Sequence, residues 1–88
     1  VRIKREHSLG REEARRRVDE IAADVGGRFN LRSEWADDSL QVKGTGVNGA
    51  INVGDEDIEV DVKLGFSLML LESSIRSAIE DAMDKHLA

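Results

Sequence analysis

The apolar positions of this chain repeat with one period at each end and another in the middle. From Ala14, the residues Val18, Ile21, Ala22 and Val25 recur at helical steps, giving one stripe toward a core. Glu12–Arg16, Glu13–Arg17, Arg15–Asp19 and Arg16–Glu20 stand four apart on the wet face of that helix. Gly26–Gly27 is the expected stop, because glycine takes up the left-handed conformation of a helix end. A second stripe, Leu71, Ile75, Ala78, Ile79, Ala82 and Met83, predicts a closing helix with Lys85 and His86 where cations suit its dipole.

Between the stripes the period drops to two. Leu31, Ser33 and Trp35 alternate with Arg32, Glu34 and Ala36, and Leu40 and Val42 alternate with Gln41 and Lys43 after an Asp37–Asp38–Ser39 turn. Val47, Gly49, Ile51 and Val53 form another run. Ile58, Val60, Val62, Leu64 and Phe66 follow the turn at Gly54–Asp57 and are the clearest alternation of all. A short charged run from Val1 to His7 reads as an edge strand. The prediction is a single α+β domain over residues 1–88 with two layers. An antiparallel meander sheet carries an N-terminal and a C-terminal helix packed on one face. Val18, Ile21, Ile51, Val60, Val62, Ile75 and Ile79 are its expected core.

Composition narrows the functional classes. The net charge is −5, yet residues through Arg32 carry nine basic and six acidic groups against four and twelve beyond. An acidic chain whose basic section is interleaved with glutamates does not suit a phosphate backbone, so no nucleic-acid partner is expected. No stretch reads as a signal peptide or membrane span. The chain has no cysteine, which excludes a thiolate and fits a cytoplasmic setting.

Each chemical motif has a plainer reading beside it. His7–Ser8 could suggest a nucleophile and base, but adjacent residues of extended chain point apart, and Ser8 stands where a helix N-cap is expected. Gly44–Thr45–Gly46–Val47–Asn48–Gly49 matches a dinucleotide fingerprint in letters, but strand rather than helix follows. A hairpin explains it, with Gly49 a bulge or a point of close helix approach. Asp55–Glu56–Asp57 lacks the alternation of a calcium loop and reads as a solvated turn. Glu59 and Asp61 project from the polar sheet face as solubilising charges. No catalytic, metal or cofactor residues are assigned. Alternation buries Phe66 and Leu68 and the helix stripe buries Leu71, which leaves Met69 and Leu70 as a candidate contact patch.

The segments HSLGREEARRRVDEIA (7–22) and GVNGAINVGDEDIEVDVKLGFSLMLLESSIRSAIE (46–80) resemble the putative polyhydroxyalkanoic acid system family. These are small bacterial proteins encoded near polyhydroxyalkanoate granule genes. The resemblance implies a cytoplasmic, polyester-related context and no particular chemistry. It favours a non-enzymatic accessory acting through contacts with the granule or its proteins, or through a homodimer. A small acyl-chain carrier and a cofactor-free enzyme on 3-hydroxyacyl substrates are the alternatives.

Overall fold

The computed structural model describes residues 1–87. Five strands, β1 (Arg2–Glu6), β2 (Arg32–Ala36), β3 (Ser39–Gly44), β4 (Val47–Val53) and β5 (Asp57–Leu64), form one antiparallel sheet in the order β1-β5-β4-β3-β2. Two helices, α1 (Arg11–Phe29) and α2 (Glu72–Leu87), cover one face, and a six-residue 3₁₀ segment (Phe66–Leu71) leads into α2. This is the expected α+β meander, with the first strand at an edge. Two short turns, Asp37–Asp38 and Thr45–Gly46, set the register of the β2–β3 and β3–β4 hairpins.

That register explains the core. Trp35, Leu40, Ile51, Val60 and Ile3 lie opposite one another across all five strands, so one row of side chains crosses the whole buried face. All seven expected core residues are buried, joined by Ala14, Val25, Ile58 and Met83 among others. Gly49 sits in regular register between Val42 and Val62, so it is not a bulge. Its neighbour is β5 rather than a helix: a Cβ there would lie 2.6 Å from the Asp61 carbonyl oxygen and 2.9 Å from the Val62 Cα.

Several local expectations are corrected. α1 runs through Gly26–Gly27 to Phe29 and closes at Asn30, which takes the left-handed conformation (φ 56°). Phe29 packs against the core, and asparagine tolerates the αL cap almost as well as glycine, so the stop moves one turn on. Of the four helix-face ion pairs only Arg17–Glu13 forms, at 2.9 Å, with Arg16–Glu13 at 3.4 Å beside it. The Arg17 hydrogen bond, aided by the Arg16 charge, holds the Glu13 carboxyl below its ordinary range. Arg15 and Asp19 turn to Trp35 instead. The guanidinium stacks 4.4 Å from the ring centre, and Asp19 accepts the indole N–H at 2.8 Å.

Candidate functional site

His7 and Ser8 are brought together by sequence alone. The backbone N–H of His7 still bonds to the Glu56 carbonyl, so the chain follows the sheet as far as His7 and must turn before α1 can begin. Gly10 makes that turn at φ 81° and is the N-cap, its carbonyl accepting the first helical bond from Ala14. Ser8 is therefore not the helix N-cap. It is exposed two residues upstream, and no side chain caps α1. The imidazole does the local work. Its Nε2 donates to the Gly54 carbonyl at 3.1 Å and its Nδ1 accepts the Leu9 N–H at 3.2 Å, since a carbonyl only accepts and an amide N–H only donates. Both ring nitrogens are engaged, and neither is left to act as a base on Ser8.

Most of the other polar candidates are also committed; the Glu56 and Glu59 side chains make no hydrogen bond or ion pair among the described residues. His86, at the end of α2, places Nδ1 3.0 Å from Glu20 and Nε2 3.4 Å from Asp24, while its carbonyl accepts Arg17 Nη1 at 2.6 Å, tying α2 to α1. In the acidic turn Arg11 holds Asp55 at 3.1 Å and Lys4 holds Asp57 at 3.5 Å. Asp61 pairs with Arg2 at 3.4 Å. Among the described residues no group of three or more His, Cys, Asp or Glu could hold a metal ion. The glycine-rich stretch is the β3–β4 hairpin, with Gly46 at φ 76° and no helix behind it.

One surface remains without an internal role. Leu64↔Val47 is the last pair of the β4–β5 ladder, because β4 begins there; beyond it Gly65 can bond only to the hairpin turn, donating to the Gly46 carbonyl at 2.7 Å. The Gly65 carbonyl then accepts the Leu68 N–H at 2.9 Å and opens the 3₁₀ segment. Side chains three apart eclipse in such a helix, giving three rows: Phe66 with Met69, Ser67 with Leu70, and Leu68 with Leu71. Of these six, only Leu68 packs against the core; Leu71, in the same row, is 47 % exposed. Phe66 is 92 %, Met69 55 % and Leu70 95 % exposed.

The candidate patch of Met69 and Leu70 is thus at the surface, and Phe66 and Leu71, expected inside, join it. Alternation carried Phe66 inward only on the assumption that β5 continues. Gly65, directly after the last β4 partner, was the signal that it stops.

The core itself offers little room. An apolar void of about 40 Å³ lies between the helices and the sheet, lined by Ile21, Val25, Phe29, Ile51 and Ile75 among others. No helix among the described residues is long and apolar enough to cross a membrane.

The family model described as putative polyhydroxyalkanoic acid system protein matches residues 1–87, and the chain belongs to that family. No curated protein and no solved structure matches it. Membership gives the protein a polyhydroxyalkanoate-related role.

Proposed function

We propose that this member of the polyhydroxyalkanoic acid system family is a non-enzymatic, cytoplasmic accessory protein that works by contact with the polyester granule or proteins on it. The observation that carries this reading is the 3₁₀ segment, which holds four exposed apolar side chains on six consecutive residues. Burying roughly 400 Å² of such surface supplies about 10 kcal/mol before the cost of association, in the range of reversible docking. The carrier alternative has less support, because a void of about 40 Å³ is far below the several hundred that enclose an acyl ligand. The enzymatic alternative meets two histidines already held in structural contacts.

The test is sedimentation with polyhydroxyalkanoate granules. Phe66→Ser, Met69→Ser and Leu70→Ser together should move the protein from the granule fraction to the supernatant while its thermal midpoint stays within a few degrees. A variant that stays on granules would refute the reading.

A further inference from the structure

The fold sorts the charges of this chain in a way its sequence does not display. Every Lys and Arg from Arg2 to Arg17 lies within 4.0 Å of a carboxylate. Arg28, Arg32, Lys43, Lys63, Arg76 and Lys85 have no such partner among the described residues. All but Lys85, in the last turn of α2, come from the half of the molecule that carries the 3₁₀ segment: the last turn of α1, the start of β2, the ends of β3 and β5, and the second turn of α2.

Three of them are in register. Lys63 faces Asn48, Asn48 faces Lys43, and Lys43 faces Arg32, so a row across four adjacent strands of the open sheet face holds three exposed cations and an amide. At the usual strand spacing the row is roughly 14 Å long. Like charges directly opposite, as Arg32 and Lys43 are, disfavour the sheet unless something anionic meets them. The hairpin turn adjoining this row carries the apolar segment: Gly46 is packed against Leu68 and Gly65, and Lys63 precedes Phe66 by three residues. Carboxylates near this end include Glu72, Asp81 in the same surface depression as Arg28 and, one row along the sheet, Glu34 and the Arg2-bound Asp61.

We propose that the Phe66–Leu71 segment and the Arg32–Lys43–Lys63 row together seat the protein on a lipid interface with anionic headgroups. The inference rests on the contact reading above and names what is contacted. The apolar side chains are exposed on one short helical segment, which suits insertion into a deformable layer able to admit them. The cations flanking them match headgroup charge. The net charge of −5 does not oppose this, because the acidic turn at Asp55–Asp57 lies six residues down β5 from Lys63. That is roughly 20 Å, more than two Debye lengths at physiological salt. The cationic end therefore meets the surface with the acidic end screened.

Co-sedimentation of the full chain with lipid vesicles tests the proposal. Vesicles of phosphatidylcholine and phosphatidylglycerol in equal parts should bind it at least tenfold more tightly than phosphatidylcholine alone, with the preference falling as salt rises. Phe66→Ser with Leu70→Ser should abolish binding to both. Lys43→Gln with Lys63→Gln should weaken binding to the anionic vesicles by about fivefold for each cation removed. Equal binding to both vesicle types would overturn the role of the cation row. No binding to either, while Phe66→Ser with Leu70→Ser still releases the protein from granules, would make the partner a protein and overturn the lipid assignment alone. Loss of a dimer in sedimentation velocity for these variants, again without vesicle binding, would assign the surface to a second copy. Failure of the granule release itself would instead remove the contact reading beneath.

Discussion

Leu68 and Leu70 are two residues apart in the same short helix, and the fold gives them opposite fates. Leu68 packs on the core and on the β3–β4 turn, its Cδ1 only 3.1 Å from where a Cβ at Gly46 would stand. Leu70 is 95 % exposed. A fully buried leucine loses about 2–5 kcal/mol on truncation to alanine, so partly buried Leu68 should lose about 1–2 kcal/mol. Leu70→Ala, with almost no packing to lose, should stay within about 0.5 kcal/mol of the parent. In urea, with a slope of about 1 kcal/mol per molar for so small a domain, the midpoint should fall by about 1–2 M for Leu68→Ala and by less than about 0.5 M for Leu70→Ala. Equal midpoints for the two variants would refute the three-row geometry. A large loss from Leu70→Ala would place that residue in the core and remove it from any docking surface.

Two further predictions probe the scaffold. Gly49→Ala should cost about 1–3 kcal/mol, because the added Cβ meets β5 backbone, whereas Gly27→Ala, with nothing within 4 Å, should stabilise α1 by about 0.5–1 kcal/mol. Thermal midpoints moving in the same direction would contradict the strand spacing at Gly49. His7→Ala should lose about 1–2 kcal/mol with its two hydrogen bonds, while Ser8→Ala should change stability by less than about 0.5 kcal/mol; the reverse order in urea melts would restore Ser8 as a cap.

Where a segment's surroundings repeat regularly, its pattern was enough to read. The stripes of α1 and α2 and the alternation of β3, β4 and β5 placed Val18, Ile21, Ile51, Val60, Val62, Ile75 and Ile79 in one core. The errors fall where a partner far along the chain decides. Phe66 points out because β4 starts at Val47 and gives β5 nothing to pair with past Leu64. Arg15 and Asp19 leave their helix-face pairing because Trp35, on a strand further along the chain, offers a ring face and an N–H. Ser8 is displaced from capping because Glu56 holds the backbone of His7 to the sheet. Met69 and Leu70 were legible as a patch because they fit neither period. The cation row was not legible at all, since Arg32, Lys43 and Lys63 become neighbours only through the registers of three strand pairs.

The connection from β5 to α2 did not have to be apolar. Gly65 already turns the chain, and α2 is anchored by Ile75, Ile79 and Met83, all buried without help from Phe66, Met69 or Leu70. A polar loop of the same length would join the two elements equally well and would spare the molecule a hydrophobic surface that invites aggregation. Leu68 alone accounts for what the segment gives the core. The remaining apolar side chains have no folding role to explain them, which leaves an external contact as the physical reason for their presence. The unpaired cations strengthen that argument from a separate direction. The protein has eighteen carboxylates for thirteen Lys and Arg residues, so shortage of acid does not leave Arg32, Lys43 and Lys63 without partners. Glu34 and Asp61 stand one row away on the same face, yet neither comes within 4.0 Å of these three cations, which border the exposed 3₁₀ segment.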